Sequence, residues 1–360
     1  MHSRANRFPC GLSGKLILGL VILLLWVTGA NLCTAFAQSP GNSTIAHLLP
    51  RAAEGHIRSQ VELANAYLMS NRPGEAFRWY RLAASSGDPF AQTRLGVMFE
   101  IGLGTMPDLA QAQEWYRRAA ADRYPPAMVL LASLYSHGQG VSQDREEAFR
   151  LLERAAGQGY APAKTDLAVL YLSSPDGPRR DADAVGLLRK AARRDPKAAF
   201  LLGWCYQHER GVKRDLTRAT QWYTKAANQR FAAAENNLGF LYETGGGVPA
   251  DAATALGWYR RAAEHGLSDS TLTVAKLLLV GPESVRNRNG ALVWFEIARR
   301  VGARGTESEL VLDRLMQETS PEERQAIDGA ASRWLAQYRP DNRSALFGTQ
   351  DLPPSDRDDK

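Results

Sequence analysis

Residues 127–159 read AMVLLASLYSHGQGVSQDREEAFRLLERAAGQG, and this stretch decides the fold. Ala127, Leu131, Leu134 and Tyr135 fall at helical spacing. The run Ser136-His137-Gly138-Gln139-Gly140-Val141 breaks that helix, with glycines free to take positive φ. Asp144 is an N-cap for a second helix, and Glu147, three residues on, completes a capping-box pattern. Ala148 to Ala156 carries the second apolar face, and Gly159 stands where a C-terminal glycine ends a helix. The unit is a helix–turn–helix hairpin. One such hairpin cannot bury its own apolar faces, so neighbours must stack.

The same signature echoes seven times as Ala-x-x-Trp-Tyr-x-x-Ala-Ala. Its copies begin at Ala76, Ala112, Ala148, Ala184, Ala219, Ala255 and Ala291, 35 or 36 residues apart. That period predicts a stacked solenoid, all-α, of about seven repeats. Small residues hold fixed places: Gly96, Ala132, Ala168, Gly203 and Gly239 in the first helix, and paired alanines such as Ala119-Ala120 and Ala262-Ala263 in the second. Small side chains let helix axes approach closely. The first copy has a short connection from Tyr67 to Ala76 and lacks the glycine loop, which suits an N-terminal cap. The fourth replaces that loop with residues 173–178, and the seventh with Gly281-Pro282-Glu283-Ser284. Beyond it, Ser320-Pro321-Glu322-Glu323 starts a helix with Ile327, Ala331, Trp334, Leu335 and Tyr338 on one face, a capping helix for the last repeat.

The ends carry different signals. Arg4, Arg7 and Lys15 precede an apolar run, Leu16 to Thr28, and Ala35-Phe36-Ala37 is a small-x-small cleavage pattern. Residues 1–37 are expected to be a signal peptide cut after Ala37. The other reading is an uncleaved N-terminal anchor. Both put the repeats outside the cytoplasm, in the periplasm or secreted. Ala30-Asn31-Leu32 before Cys33 lacks the small residue that lipoprotein processing needs. The expected division is a linker over 38–54, repeats over 55–304, capping helices over 305–338 and a polar, Pro/Asp-rich disordered tail over 339–360.

The formal charge of +6 comes from 44 basic and 38 acidic residues, and three of the basic ones lie in the expected leader. The remainder is a mixed surface, not a nucleic-acid footprint. Cys10 and Cys33 also lie in the leader, so Cys205 stands alone and is expected as a small buried hydrophobe.

The stretch Ala234 to Ala263 resembles the Sel1-like repeat, a relative of the tetratricopeptide repeat. Leu238-Gly239, Tyr242, Gly245, Gly247-Val248, Asp251, Ala255, Trp258-Tyr259 and Ala262-Ala263 carry the resemblance. It covers roughly residues 55 to 304. It implies a right-handed α/α superhelix that binds proteins or peptides and assembles complexes, here as an adaptor or regulator of an envelope or signalling complex. Cysteine-rich members are associated with β-lactam chemistry and carry paired cysteines in each repeat. This chain lacks them.

No catalytic constellation, cofactor motif or metal spacing emerges, so the chain is expected not to be an enzyme. His47, His56, His137, His208 and His265 are scattered over different repeats. The Gly-x-Gly pairs are flanked by helices, not by the strand and Lys-Ser/Thr of a phosphate loop. Asp108, Asp144, Asp215 and Asp251 share one repeat position and read as caps. The alternative function is an envelope hydrolase or a peptidoglycan- or β-lactam-acting protein. By similarity to tetratricopeptide repeats, the first helices line a concave groove. The candidate partner-binding residues are Val97, Val169, Phe200, Trp204, Gln207, His208, Asn236, Phe240 and Glu243, with Thr93, Glu100, Val129, Ser133 and His137 at the same register positions. Trp204 and Phe240 packing between repeats is the alternative to that reading.

Overall fold

A computed structural model describes residues 41–173, 178–303 and 307–338. The expected leader, the first residues of the linker, the tail and the centre of the fourth loop lie outside the described residues. Every described element is helical. The chain divides into two compact units, at residue 170.

The first unit holds α1 (Gly41–Ala53), α2 (Ile57–Met69), α3 (Pro73–Ser85), α4 (Pro89–Ile101), α5 (Leu109–Ala121), α6 (Pro125–His137), α7 (Arg145–Gly157) and most of α8 (Ala161–Leu172). The second holds α9 (Pro178–Ala191), α10 (Pro196–Gln207), α11 (Leu216–Ala227), α12 (Ala232–Thr244), α13 (Ala252–Glu264), α14 (Asp269–Val280), α15 (Arg288–Val301), α16 (Glu307–Gln317) and α17 (Pro321–Gln337). In both, consecutive helices pack as hairpins and each hairpin packs on the next.

Helix boundaries follow the sequence signals. Asp88, Asp108, Asp144, Asp215 and Asp251 cap α4, α5, α7, α11 and α13, each carboxylate accepting from a first-turn N–H. At Asp144 only half of the expected capping box forms, because Glu147 turns to Arg150 at 3.2 Å. Ser320 and Glu323 form the complete box at the start of α17.

The segment expected as a linker is instead largely α1. Ile45 and Ala52 are buried with Leu63, Ala64 and Tyr67 of α2 in one core cluster. At the other end, α17 packs Ile327 and Ala331 into the cluster of Trp294 and Phe295, and the Trp294 and Trp334 rings meet edge-on at 5.2 Å.

Two glycine positions set the packing. Gly102, Gly138 and Gly245 end α4, α6 and α12 in the left-handed conformation. Two residues later, Gly104, Gly140 and Gly247 again have positive φ, as does Gly211. A Cβ on any of these four would strike the start of the preceding second helix, at Pro73, Leu109, Asp181 or Leu216. The second glycine therefore brings each loop against the hairpin before it.

Within a hairpin the small position works differently. A Cβ on Gly96, Gly203 or Gly239 would lie 2.6, 2.8 or 2.7 Å from the ring of Tyr116, Tyr223 or Tyr259. Each of these tyrosines is fully buried. Gly239→Leu is expected to cost about 1–3 kcal/mol by overpacking this crossing, and an unchanged thermal midpoint would contradict the assignment.

Candidate partner-binding face

The structure separates the nine candidate residues into three groups. Val97 and Phe200 are 1% and 2% exposed and contribute to the interior. Phe200 packs against Tyr223 and Phe231, both at 5.3 Å between ring centroids. The hairpins close more tightly over these two positions than the sequence pattern indicates, so neither side chain presents a surface.

Gln207 and Glu243 have a structural task. Tyr223 donates its hydroxyl to Gln207 Oε1 at 2.8 Å, and Tyr259 donates to Glu243 Oε2 at 2.6 Å. Tyr116 donates to Glu100 Oε2 in the same way, at 2.6 Å. A buried phenol needs an acceptor, and this register position supplies it. The sequence carries the signal. Where the tyrosine becomes Leu152, Leu188 or Phe295, the partner position becomes Ser136, Leu172 or Leu279.

The third group keeps some surface. Val169, His208, Asn236 and Phe240 are half-buried. Trp204, by contrast, is buried at 8% exposure and stacks against His208 with ring centroids 4.7 Å apart. Asn236 Oδ1 accepts from Ser270 Oγ of the next hairpin at 3.1 Å. The second unit thus brings His208 and Trp204 of α10 and Asn236 and Phe240 of α12 onto first helices of adjoining hairpins, while Val169 belongs to the first unit.

Buried charge elsewhere is structural. Gln92 Nε2 donates to the Ala84 carbonyl at 3.3 Å. The corresponding residue in the second unit is Glu235, fully buried and unable to donate. Arg261 takes over, reaching the Ala227 carbonyl at 3.4 Å while its guanidinium lies 3.0 Å from Glu235. His265 Nδ1 meets the second oxygen at 2.7 Å. Asp181, also buried, is held by Arg210 through Nε and Nη2 at 2.6 and 3.0 Å. Cys205 is buried, and burial pushes its thiol up to about 12, so it is no thiolate nucleophile at neutral pH. No metal-holding group of side chains occurs among the described residues.

The Sel1 repeat pattern matches residues 58–88, 89–123, 125–160, 161–195, 196–231 and 232–267. The chain belongs to the Sel1 repeat family. Six repeats match, and α14 and α15 add a seventh hairpin of the same construction. A Sel1 repeat protein from Oxalobacter formigenes is 29% identical, over 67% of this chain and 99% of that one, with a TM-score of 0.61. The protective antigen c5321 of uropathogenic Escherichia coli, which displays the same fold, is 24% identical, over 86% of this chain and 67% of that one, with a TM-score of 0.66. No curated protein matches. Sel1 repeats are protein-interaction modules, and their scaffold is typically non-catalytic.

Proposed function

We propose that this Sel1 protein is an exported adaptor or regulator of an envelope complex. In this reading a segment of a partner protein docks on the first-helix face of the second unit. Phe240 carries the reading. It is a large aromatic left half-exposed beside Asn236, at a register position where Val97 and Trp204 are buried. Aromatic anchors flanked by hydrogen-bonding groups are what interfaces use for most of their energy. Asn236, one helical turn before Phe240 and with its Nδ2 unpartnered among the described residues, and His208, stacked on Trp204 in the preceding hairpin, are the polar groups this reading assigns to the face. The leader pattern over residues 1–37 supports export, with Gln38 as the expected mature terminus.

The test is photo-crosslinking in cells with the full chain, using a photoreactive residue at position 240, followed by mass spectrometry. A discrete partner is expected. Phe240→Ala should weaken its capture by about tenfold, the scale of an interface anchor, with the protein still folded. Capture unaffected by Phe240→Ala would refute the assignment of the face. Sequencing the N-terminus of the purified protein tests export separately: a start at Gln38 supports it, and a start at residue 1 or 2 without membrane association contradicts it.

A further inference from the structure

A second feature lies on a different side of α10. Tyr206 is two residues, and therefore about 200° around the helix, from Trp204. It is only 5% exposed. Its hydroxyl sits between two exposed arginines from the flanking second helices. Arg189 Nη2 of α9 donates to it at 3.1 Å, and Arg218 Nη1 of α11 at 3.5 Å. The Arg218 guanidinium also lies over the Tyr206 ring, 5.6 Å from its centroid.

The repeat register shows how unusual this is. At the corresponding position Tyr135 has Arg117 and Glu147 as counterparts of the two arginines, and Tyr242 has Thr224 and Thr254. Phe99 has no hydroxyl at all. Among these, only the α10–α11 hairpin sets two cations against one phenol. With both guanidiniums donating to its oxygen, the phenol's own hydrogen has no acceptor among the described residues. Burial raises this phenol, yet the hydrogen bonds from Arg189 and Arg218 outweigh it, and Tyr206 stays below an ordinary tyrosine. Its hydrogen is correspondingly a strong donor.

We propose that Arg189, Tyr206 and Arg218 form a receptor for a carboxylate of an acidic partner segment. Three donors converge, two of them charged, and guanidinium forks match carboxylate geometry. The charge selects the anion. Arg218 Nε already faces Asp215 at 3.2 Å, so one of the two positive charges is offset and one remains. Arg189 has no carboxylate partner among the described residues. One net positive charge suits a carboxylate and leaves a dianionic phosphate uncompensated. This contact is independent of the Phe240 face and stands or falls without it.

The full chain, labelled with 15N at arginine, tests the receptor by NMR of the guanidinium Nε–Hε signals. Hexaglutamate is the probe, with hexaglutamine and inorganic phosphate as comparisons. Hexaglutamate should shift Arg189 and Arg218 saturably, and hexaglutamine should not. Arg189→Gln should weaken binding by about tenfold or more, the scale of a hydrogen bond to a charged group. Arg189→Lys should recover part of it. Tyr206→Phe should also weaken binding while folding normally, since Phe99 fills the same position elsewhere in the chain. Equal affinity in Arg189→Gln and the unaltered protein would overturn the receptor. Phosphate binding with hexaglutamate silent would overturn the choice of carboxylate.

Discussion

Gly247→Ala is expected to destabilise the second unit by about 2–5 kcal/mol, while Gly257→Ala, ten residues away, is expected to stabilise it. Gly247 has φ +75°, and a methyl group there would collide with the main chain of Leu216 at the start of α11. An L-residue held in the left-handed region costs about 1–2 kcal/mol. Overpacking adds about 1–3 kcal/mol, with little relief here because the obstacle is backbone. Gly257 is exposed inside α13, and nothing lies within 4 Å of its would-be Cβ. Alanine there gains about 0.8–1.0 kcal/mol of helix propensity. Denaturant unfolding of both variants reads the contrast. Equal midpoints for the two would show that the loop does not rest on the preceding hairpin. A solenoid is stabilised through nearest-neighbour interfaces, so the loss should appear as early opening around α11 and α12.

Much of this architecture is legible in the sequence because each repeat restates it. The register alone places Gly96, Gly203 and Gly239 at one position, and the three glycines do face three equivalent tyrosines. The aspartate caps are legible for the same reason. What the register does not convey is how closely adjoining hairpins approach across the first-helix face. The pattern therefore assigns Val97 and Phe200 to a surface that the packing consumes. Gln207 and Glu243 have the look of interface polar groups in the sequence, but in the fold the tyrosine hydroxyls occupy them. The helix α1 escapes for a different reason. It stands outside the repeat, and Gly41 and Pro50 within it are breaker signals, yet Ile45 and Ala52 find a core on α2 that local propensity does not report.

The Trp-Tyr echo also divides once packed. Its tyrosines turn fully inward against the first helix of their own hairpin. The tryptophans Trp115, Trp222 and Trp258 remain half-buried and are covered by the cation three residues on. Arg118, Lys225 and Arg261 lie 4.7, 4.9 and 4.5 Å from the respective ring centroids. A cation placed over an indole face is favourable at such a site, and its aliphatic stem shields apolar surface. The recurrence of this pair across repeats makes it part of the scaffold, in contrast to Phe240 and Tyr206, whose surroundings are peculiar to one repeat.

Glu100 makes the first unit lose stability as pH rises through neutrality. Its carboxyl is buried and its pKa is raised to about 7, chiefly by burial, with the Tyr116 hydrogen bond acting in the opposite direction. In the unfolded chain the same carboxyl returns to the ordinary value of 4.5. Between these two values the folded protein holds a proton that the unfolded chain has released. The contribution is therefore fully present below about pH 4.5 and is lost as pH rises through about 7. Its scale is about 3 kcal/mol, at 1.36 kcal/mol per pKa unit. Glu100→Gln removes the titration but retains an acceptor for Tyr116. The amide fits, because Gln207 already accepts from Tyr223 at the equivalent place, at 2.8 Å. The variant should match the unaltered protein near pH 4.5 and exceed it by about 3 kcal/mol at pH 8. Other acids, such as Asp251, held below its usual range first by the Thr254 hydroxyl, act in the opposite direction in both proteins and cancel in the difference. Paired denaturant titrations from pH 4.5 to 8 measure that difference directly. A constant offset across the range, or a smaller advantage at pH 8 than at pH 5, would mean that Glu100 ionises as an ordinary surface carboxylate and that the first-helix face around it is open to water.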